Sequence, residues 1–435
     1  MSVTLAAPCP PAPGRVPVLD HVPALLRRPL SFFESTRTPE PLVRVGFGPI
    51  ALHLANDPAL VHRIQMDTDT FERSRFFEAL AGHFGNPLIA SNGPHHQHQR
   101  RTIKPAFSRT SVRNYTQDIV DEAEQRFAAW QPGVPEAAAD EEMSDLVAAV
   151  VLRSLLSADL SRPVVRDIRQ TLYMISRKLI TGTVFPKALT RLPTAGKRRF
   201  KAAVDRFYAV IDGLVQERRA NHVAVPDVLD ALLKAVHPES DRPYSDEEIR
   251  SEFLIMFFAG LETTSTSLTW AVFETAIRPK VQRRLHEEAC LVLDGQPLTY
   301  NRVRKLSYTR KVIDETLPLH APMLFTRRAR HEVVLAGTLI PAGSEIGYSP
   351  RAMHRNRDTY ANPRLFDPER TESVTGQDLP RGAYFPWGIG PHRCIGEHLA
   401  ATTMTVALAA RWQLRIVPVT RIREAKSSLP HPSSL

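Results

Sequence analysis

The chain has 435 residues, a formal net charge of +10 and three cysteines. Its 43% hydrophobic and 23% charged residues exclude a disordered, collagen-like or coiled-coil protein. The basic residues are scattered and are not interleaved with aromatic residues, so nucleic acid is not a predicted partner.

Cysteine usage and apolar runs predict a cytoplasmic protein without a membrane anchor. The odd number of cysteines and the lack of a C-x-x-C pair argue against a disulfide framework and a zinc site, and favour a reducing compartment. The N-terminus lacks the basic and apolar regions of a signal peptide. The apolar run from Phe253 to Leu261 has nine residues, whereas a membrane span needs about 20.

The first elements in chain order are a flexible segment and a hairpin. Residues 1–17 contain five prolines and are predicted to be extended and poorly ordered. The β-type runs Val43–Val45 and Ile50–Leu52, separated by glycine and proline, predict a β-hairpin. Helical patterns dominate from Asp57 to His237.

A histidine-rich tract lies within this helical region. His95, His96 and His98 are followed by Arg100 and Arg101. His96 and Arg100 are four residues apart and therefore share one face of a helix. From the residues alone, the tract is either a polar helix face or a metal site.

A long helix is predicted from about Ser245 to Ile277. Ser245 and Glu248 form a capping box, apolar residues follow at helical spacing, and Pro279 closes the pattern. At 1.5 Å per residue, such a helix is roughly 50 Å long and crosses a whole domain.

The middle of this helix reads Ala259-Gly260-Leu261-Glu262-Thr263-Thr264. An acid followed by a hydroxyl can relay protons, and the glycine can let the helix open locally. The alternative is that Glu262 is a solvated charge and that the threonines only fill space.

The last third of the chain alternates between helices and strands. Short β-type runs lie between Glu332 and Tyr348, and an irregular stretch extends from Ser349 to Pro386. A stretch of that length is usually functional. The predicted helices are Lys280–Leu293, Tyr308–Leu319 and Leu399–Trp412, and the final strand is Leu414–Val419.

The most specific segment runs from Trp387 to Gly396 and places glycines around Cys394, just before a helix. Helix N-termini and nearby cations stabilise a thiolate, which is a far better metal ligand than a thiol. Glycines let backbone N–H groups turn toward the sulfur and let a flat macrocycle approach closely. A lone cysteine would otherwise be a buried structural residue.

This segment resembles the haem-ligand loop of the cytochrome P-450 (P450) family, F-x-x-G-x-[HR]-x-C-x-G. Gly390, His392, Cys394 and Gly396 match, and Trp387 stands where the family has phenylalanine. The resemblance implies that Cys394 holds the haem iron and that His392 donates to a haem propionate. The indole of Trp387 near the sulfur would alter the electron donation of the thiolate.

Other segments match the family in the same order. The segment at Gly260 resembles [AG]-G-x-[DE]-T, which implies that Glu262 and Thr263 deliver protons and that Gly260 leaves room for dioxygen. His96 and Arg100 match the family's [WH]-x-x-x-R helix, and Arg327 matches its propionate arginine. These residues would bind the propionates through charge-assisted hydrogen bonds.

One motif departs from the family. The family carries E-x-x-R on the helix before the haem loop; here Glu315 matches, but Pro318 replaces the arginine. Proline lacks an N–H and usually kinks a helix. Arg370, in the irregular stretch, is expected to pair with Glu315.

The resemblance implies a mainly α fold with small β sheets, forming a single domain over residues 18–420 with a C-terminal tail at 421–435. It also implies haem b, O2, and electrons from a ferredoxin and its reductase. The chain looks like actinobacterial members that oxidise terpenes. Apolar residues expected above the haem suit an apolar substrate: Phe76, Phe77, Leu88, Met323, Leu324 and Phe325. Tyr173 to Phe185 would form a mobile lid.

The leading hypothesis is therefore a haem-thiolate monooxygenase that oxidises an apolar terpenoid. Two alternatives stay open. One is a haem-binding auxiliary protein with little turnover, because of Pro318. The other is a P450-type enzyme that rearranges or couples its substrate.

Overall fold

The computed structural model describes residues 8–47, 50–130, 139–158, 163–171, 174, 195–221, 227–237, 239–370 and 379–410. Residues 163–171 are helical, and Lys104–Phe107 and Gly390–His392 form 3-10 helices. The other helices are α1 (Val22–Arg27), α2 (Pro29–Ser35), α3 (Pro58–Met66), α4 (Arg75–Phe84), α5 (Gly93–Ile103), α6 (Arg109–Ala128), α7 (Ala139–Leu156), α8 (Ala195–Ala220), α9 (Val228–Leu233), α10 (Asp246–Ala276), α11 (Pro279–Leu293), α12 (Tyr300–Val303), α13 (Ser307–Leu319), α14 (Pro350–His354) and α15 (Glu397–Ala410).

The strands form a five-stranded sheet and a two-stranded sheet. Their bounds are β1 (Leu42–Phe47), β2 (Ile50–Ala55), β3 (Phe71–Arg73), β4 (Phe325–Ala329), β5 (Val333–Leu335), β6 (Thr338–Ile340) and β7 (Glu345–Tyr348). The larger sheet has the order β1-β2-β7-β4-β3, and β5 pairs with β6. In this sheet β2 and β7 are parallel and the other pairs are antiparallel.

Helix α10 runs through the main hydrophobic core. Its 31 residues span about 46 Å, close to the predicted length. Both bonds of the predicted capping box are present: Glu248 N–H donates to Ser245 Oγ (3.3 Å), and Ser245 N–H donates to Glu248 Oε2 (2.7 Å). The helix packs against α7, α8 and α13 and buries Phe253, Leu254 and Phe257. It therefore fixes the frame on which the polar residues of its middle turns are presented.

The predicted fold class is confirmed, as is the hairpin, in which Leu42 pairs with Ala55 and Phe47 with Ile50. Strand β3 (Phe71–Arg73) lies in a region where helical patterns were predicted to dominate, and it was not predicted. It has three residues and is defined by pairing with β4, a partner more than 250 residues away in the chain. Local sequence carries no signal for such a pairing.

The N-terminal segment that was predicted to be poorly ordered is partly packed. Ala12 is only 3% exposed, and its N–H donates to Arg44 O on β1 (2.9 Å). The limits 18–420 of the domain stay a prediction. The expected lid, Tyr173 to Phe185, and the expected strand Leu414–Val419 fall outside the described residues, apart from residue 174. Among the helices described, none is long and apolar enough to cross a bilayer.

Candidate active site

The loop that carries Cys394 is closed by backbone bonds and packed against α3. Gly390 has a φ of +71°, a conformation that glycine adopts without strain. A Cβ atom at Gly390 would lie 2.9 Å from Met66 Sδ and 3.0 Å from Gln65 O, so a larger residue would push the loop off α3. The Cys394 N–H donates to Trp387 O (2.8 Å), which fixes the cysteine at the end of the turn.

The side chain of Cys394 is accessible but closely surrounded by protein. The residue is exposed, yet burial is the main influence on its thiol and raises its pKa. The Gly396 N–H and the charges of Arg100 and Arg393 act in the opposite direction and stabilise the thiolate. Arg393 is itself paired with Glu397 (Nε–Oε2 2.8 Å).

The family position of Trp387 has a packing function in this chain. The half-buried indole packs, together with Ile395, against the main hydrophobic core. Helix α15 begins at Glu397, shortly after Cys394, as the sequence predicted for the loop.

Five basic side chains from four elements converge beside this loop. Four of them were assigned to the propionates from sequence: His96 and Arg100 come from α5, Arg327 from β4 and His392 from the 3-10 turn. His96 Nε2 lies 3.1 Å from His392 Nδ1. The fifth, Arg73, was missed; it lies opposite Arg327 in the β3–β4 register. In the sequence it is one arginine among many, and only the strand pairing places it here.

These five basic residues form what is here called the cation cluster. Arg73 (9% exposed), His96 and Arg327 (4% exposed) are buried, and Arg100 and His392 are half-buried. Among the described residues, the Nε atoms of Arg73 and Arg327 have no hydrogen-bond partner. Burial and the charge of Arg327 hold the pKa of Arg73 well below its ordinary value. Burial and then the neighbouring arginines lower the pKa of His96 to about 4 and lower that of His392 further. Within the described residues, no carboxylate lies at ion-pair distance from any of the five, so no described side chain neutralises the arginine charges.

The middle of α10 exposes one polar position. Thr263 is exposed, although most of the helix is buried, and Glu262 is half-buried. The Thr263 hydroxyl donates to Ala259 O (2.6 Å), which fixes the direction of its oxygen. The helix is continuous through Gly260, where a Cβ atom would make only an ordinary contact with Val151 (3.7 Å). Protein packing therefore does not require glycine at this position.

The sequence profile of the cytochrome P450 family matches residues 10–414. The chain belongs to this family.

Several relatives extend over nearly the whole chain. This P450 is 35% identical to cyclooctat-9-en-7-ol 5-monooxygenase of Streptomyces melanosporofaciens, over 94% of this chain and 90% of the relative. It is 33% identical to cyclooctatin synthase of the same organism, over 95% and 91% of the two chains. It is 29% identical to pentalenene oxygenase of Streptomyces avermitilis, over 98% and 95%. The protein is therefore an oxidoreductase of the monooxygenase type, and its family implies a haem-thiolate iron cofactor.

The residues of the site fit such a cofactor. Haem combines an iron that accepts a thiolate with two propionates that carry negative charge. The chain offers one accessible cysteine sulfur in this loop, and beside it a largely buried cation cluster without a carboxylate of its own among the described residues. Both halves of the donor set are present, and they come from elements far apart in the sequence.

The departure at Pro318 leaves a two-residue pair. Arg370 Nε donates to Glu315 Oε1 (3.1 Å), so the expected pair is confirmed, and the Asp367 N–H donates to the same oxygen (3.0 Å). Burial raises the pKa of Glu315 to about 7, although these partners lower it. Pro318 and Glu315 line a cavity with about 20 Å³ of space open to the centre of a water molecule, which is room for about one water.

We expect Pro318→Arg to raise the free energy of unfolding by about 2 kcal/mol at pH 8, because a second guanidinium would reach the buried carboxylate of Glu315. In the wild type, this carboxyl ionises more readily in the unfolded chain than in the folded one, so folding is penalised as the pH rises from about 4.5 to about 7. The second cation reduces that penalty. The gain should therefore be small at pH 4.5, where Glu315 is still protonated in the folded protein, and full above pH 7, in urea unfolding measured across this range.

Pro318→Met is the matched control, because it restores the N–H and adds bulk without charge. Its effect should not change with pH. If the arginine variant is destabilised at every pH, the cavity does not accept a guanidinium.

Proposed function

We propose that this P450 holds haem b through Cys394 and oxidises an apolar, terpenoid substrate with O2 and electrons from a ferredoxin and its reductase. The observation that carries the proposal is an accessible cysteine sulfur beside a largely buried cation cluster that pairs with no carboxylate in the described chain. A haem presents iron to the one and propionates to the other. When bound, the haem supplies the oxygen-inserting chemistry, which a thiolate ligand promotes.

The cation cluster orients the haem. We assign His96, Arg100, Arg327 and His392 to the propionates, and we add Arg73. Burial keeps His96 and His392 neutral at physiological pH, and their rings are within hydrogen-bond distance of each other. While that bond is made, one of the two rings keeps an N–H to donate to a propionate, and the arginines supply the charge. If these residues were ordinary surface charges, the Nε atoms of Arg73 and Arg327 would not be buried without hydrogen-bond partners among the described residues.

Glu262 and Thr263 are assigned to proton delivery. The Thr263 hydroxyl donates a hydrogen bond to Ala259 O, so its oxygen is oriented to accept a hydrogen bond from a water or ligand beside the helix. Glu262, one residue earlier and half-buried, can exchange protons with solvent and pass them toward this hydroxyl. Gly260 is assigned to leaving room for dioxygen, since no neighbouring protein atom requires the missing side chain.

We expect Thr263→Val to lower the amount of product formed per electron pair by about tenfold while electron consumption continues. Valine keeps the shape of threonine but cannot accept the hydrogen bond through which protons would be delivered, and water compensates in part for the loss of this positioned acceptor. The measurement compares product with reduced nicotinamide consumed.

Thr264→Val is the matched control, because Thr264 is the next residue but is buried (8% exposed). It should leave the ratio unchanged, and Thr263→Ser should largely restore it. Equal loss in both valine variants would assign the effect to helix packing.

The substrate class rests on relatives and on apolar residues. The oxygenases to which this chain is similar are named for cyclooctat-9-en-7-ol and pentalenene. Of the apolar residues expected above the haem, Leu88 lies in the main core and Met323 and Leu324 pack against the cluster under β1 and β2, whereas Phe325 is 39% exposed. A panel of cyclic terpenes and terpene alcohols is the first set to test.

The electron donor would dock on the cysteine side. Phe107 packs beside Gly396, and exposed basic residues flank it on α5, α6 and the turn between them. No ion pair is found for these residues in the described part of the chain: Arg101, Lys104, Arg109 and Arg113. Arg393 directly precedes Cys394, but its charge is offset by Glu397. A free basic patch suits an acidic ferredoxin, and the association should weaken as salt rises.

The deciding experiment is the absorption spectrum of the reduced, carbon-monoxide-bound protein, followed by turnover with a ferredoxin system. A red-shifted Soret band together with an oxygenated product supports the proposal. A red-shifted band without turnover on any substrate would favour the auxiliary protein, and a product without added oxygen would favour rearrangement or coupling. The Glu315–Arg370 pair favours the enzyme, since the motif that raised doubt is partly intact.

A further inference from the structure

Pro318 removes a donor from the last turn of α13. In an α-helix the carbonyl of Asp314 accepts from the N–H of residue 318, and proline has none. The structure supplies a different donor: the Tyr384 hydroxyl lies 3.3 Å from Asp314 O. Tyr384 belongs to the irregular stretch that leads into the cysteine loop, three residues before Trp387.

We propose that Tyr384 is a positioning residue for Cys394, and that its hydroxyl replaces the N–H that Pro318 lacks. The bond joins α13 to the segment that carries Cys394. Pro318 occupies the arginine position of E-x-x-R and cannot make such a connection. The inference rests on the proposed function of Cys394 as iron ligand, but the bond itself is a property of the chain.

The two residues next to Tyr384 in the chain are also held by hydrogen bonds. On either side of it, Ala383 O accepts from the Tyr360 hydroxyl (3.0 Å), and the Phe385 N–H donates to His354 Nε2 (3.1 Å). The segment is thus fixed at three consecutive residues.

The turn continues directly from this fixed segment. Gly388 N–H donates to Phe385 O (3.0 Å), and Cys394 N–H donates to Trp387 O (2.8 Å). A displacement of residue 384 would therefore be transmitted through two bonds to the sulfur.

The surroundings of Tyr384 keep its hydroxyl protonated, so that it can donate a hydrogen bond. Burial, and then the neighbouring Asp314, raise the pKa of its phenol, so the hydroxyl stays protonated at any pH the enzyme meets. Tyr384, Tyr360, Pro318 and Glu315 line the same small cavity, so loss of the hydroxyl leaves the Asp314 carbonyl facing a space for about one water.

Tyr384→Phe removes the hydroxyl and keeps the ring. We expect the red-shifted Soret band of the reduced, carbon-monoxide-bound holoenzyme to decay at least threefold faster, with the intensity moving to the blue-shifted form that lacks the thiolate. The variant Pro318→Ala supplies an N–H for Asp314 O. In the double variant Pro318→Ala with Tyr384→Phe, the decay should return to within twofold of that of Pro318→Ala alone, because the helix now satisfies its own carbonyl.

Tyr360→Phe is the matched control. It removes a hydroxyl from the same cavity, but that hydroxyl donates to Ala383 O, which Pro318→Ala cannot reach. Rescue should therefore be specific to Tyr384. The proposal is overturned if Tyr384→Phe decays at the wild-type rate, if Pro318→Ala fails to rescue it, or if it rescues Tyr360→Phe equally.

Hydrogen exchange separates this inference from the function on which it rests. Tyr384→Phe should speed exchange of the peptide spanning residues 383–396, and Pro318→Ala should reverse that change, whatever the spectrum shows. If the wild type never shows the red-shifted band, the iron ligand is misassigned, and the exchange result alone decides the role of Tyr384. Unchanged exchange in Tyr384→Phe removes the positioning role even where the spectrum is normal.

Discussion

Cys394→Ser is expected to abolish the red-shifted Soret band and to lower monooxygenase turnover below detection. A serine hydroxyl does not ionise at working pH and cannot supply the soft, electron-rich sulfur that iron takes from cysteine. The loop itself should survive, because its closing bond uses the Cys394 N–H, and the packing at Gly390 is unaffected. Absorption spectroscopy of the reduced, carbon-monoxide-bound protein and circular dichroism of the same sample measure the two effects separately.

The other two cysteines provide matched controls. Cys290 is exposed on α11, with its sulfur 3.5 Å from His286 Nε2, and burial raises the pKa of Cys9 to about 11. Cys290→Ser and Cys9→Ser should keep the wild-type spectrum. A spectrum that is the same in all three variants would mean that the iron is held by another residue.

Arg327→Met is expected to speed haem loss by about 10- to 100-fold and, at the same time, to stabilise the protein from which haem has been removed. The first effect follows from the loss of charge-assisted hydrogen bonds to a propionate, worth about 1.5–3 kcal/mol. The second follows because the buried cations repel one another when no anion is bound. Haem transfer to an acceptor protein measures the first, and urea unfolding of the apoprotein measures the second.

Arg328→Met tests the assignment at the neighbouring residue of the same strand. Arg328 is paired with Glu72 (Nη2–Oε1 2.6 Å) and with Glu78, so its loss should weaken the apoprotein slightly and leave haem loss close to the wild-type rate. An arginine with a purely structural role at 327 would behave in the same way. A variant that loses haem faster but has a more stable apoprotein therefore identifies Arg327 as a cation that binds an anionic ligand.

Sequence reasoning succeeded where a local pattern determines the structure. The capping box at Ser245 and the proline at 279 bracket a helix whose bounds were predicted within one residue. The Glu315–Arg370 pair was also expected, because both motifs could be recognised along the chain. The helix is marked by residues at its own ends, whereas Glu315 and Arg370 lie 55 residues apart and are each marked by a family motif.

Sequence reasoning failed where contacts join distant segments and the residues concerned belong to no recognised motif. Arg73 enters the cation cluster only because β3 pairs with β4. Tyr384 meets Asp314 across 70 residues, and nothing in the residues around either one predicts that meeting. Pro318 signalled a missing donor, but the donor that replaces it could be found only in three dimensions.

Position 260 separates the demands of folding from those of chemistry. A methyl group there would meet Val151 at 3.7 Å, an ordinary contact, in a helix that is regular on both sides. If Gly260→Ala impairs the enzyme, we therefore expect the cause to be crowding of dioxygen or substrate rather than damage to the fold. Engineers who wish to reshape selectivity can treat this turn of α10 as adjustable, because the scaffold does not depend on it.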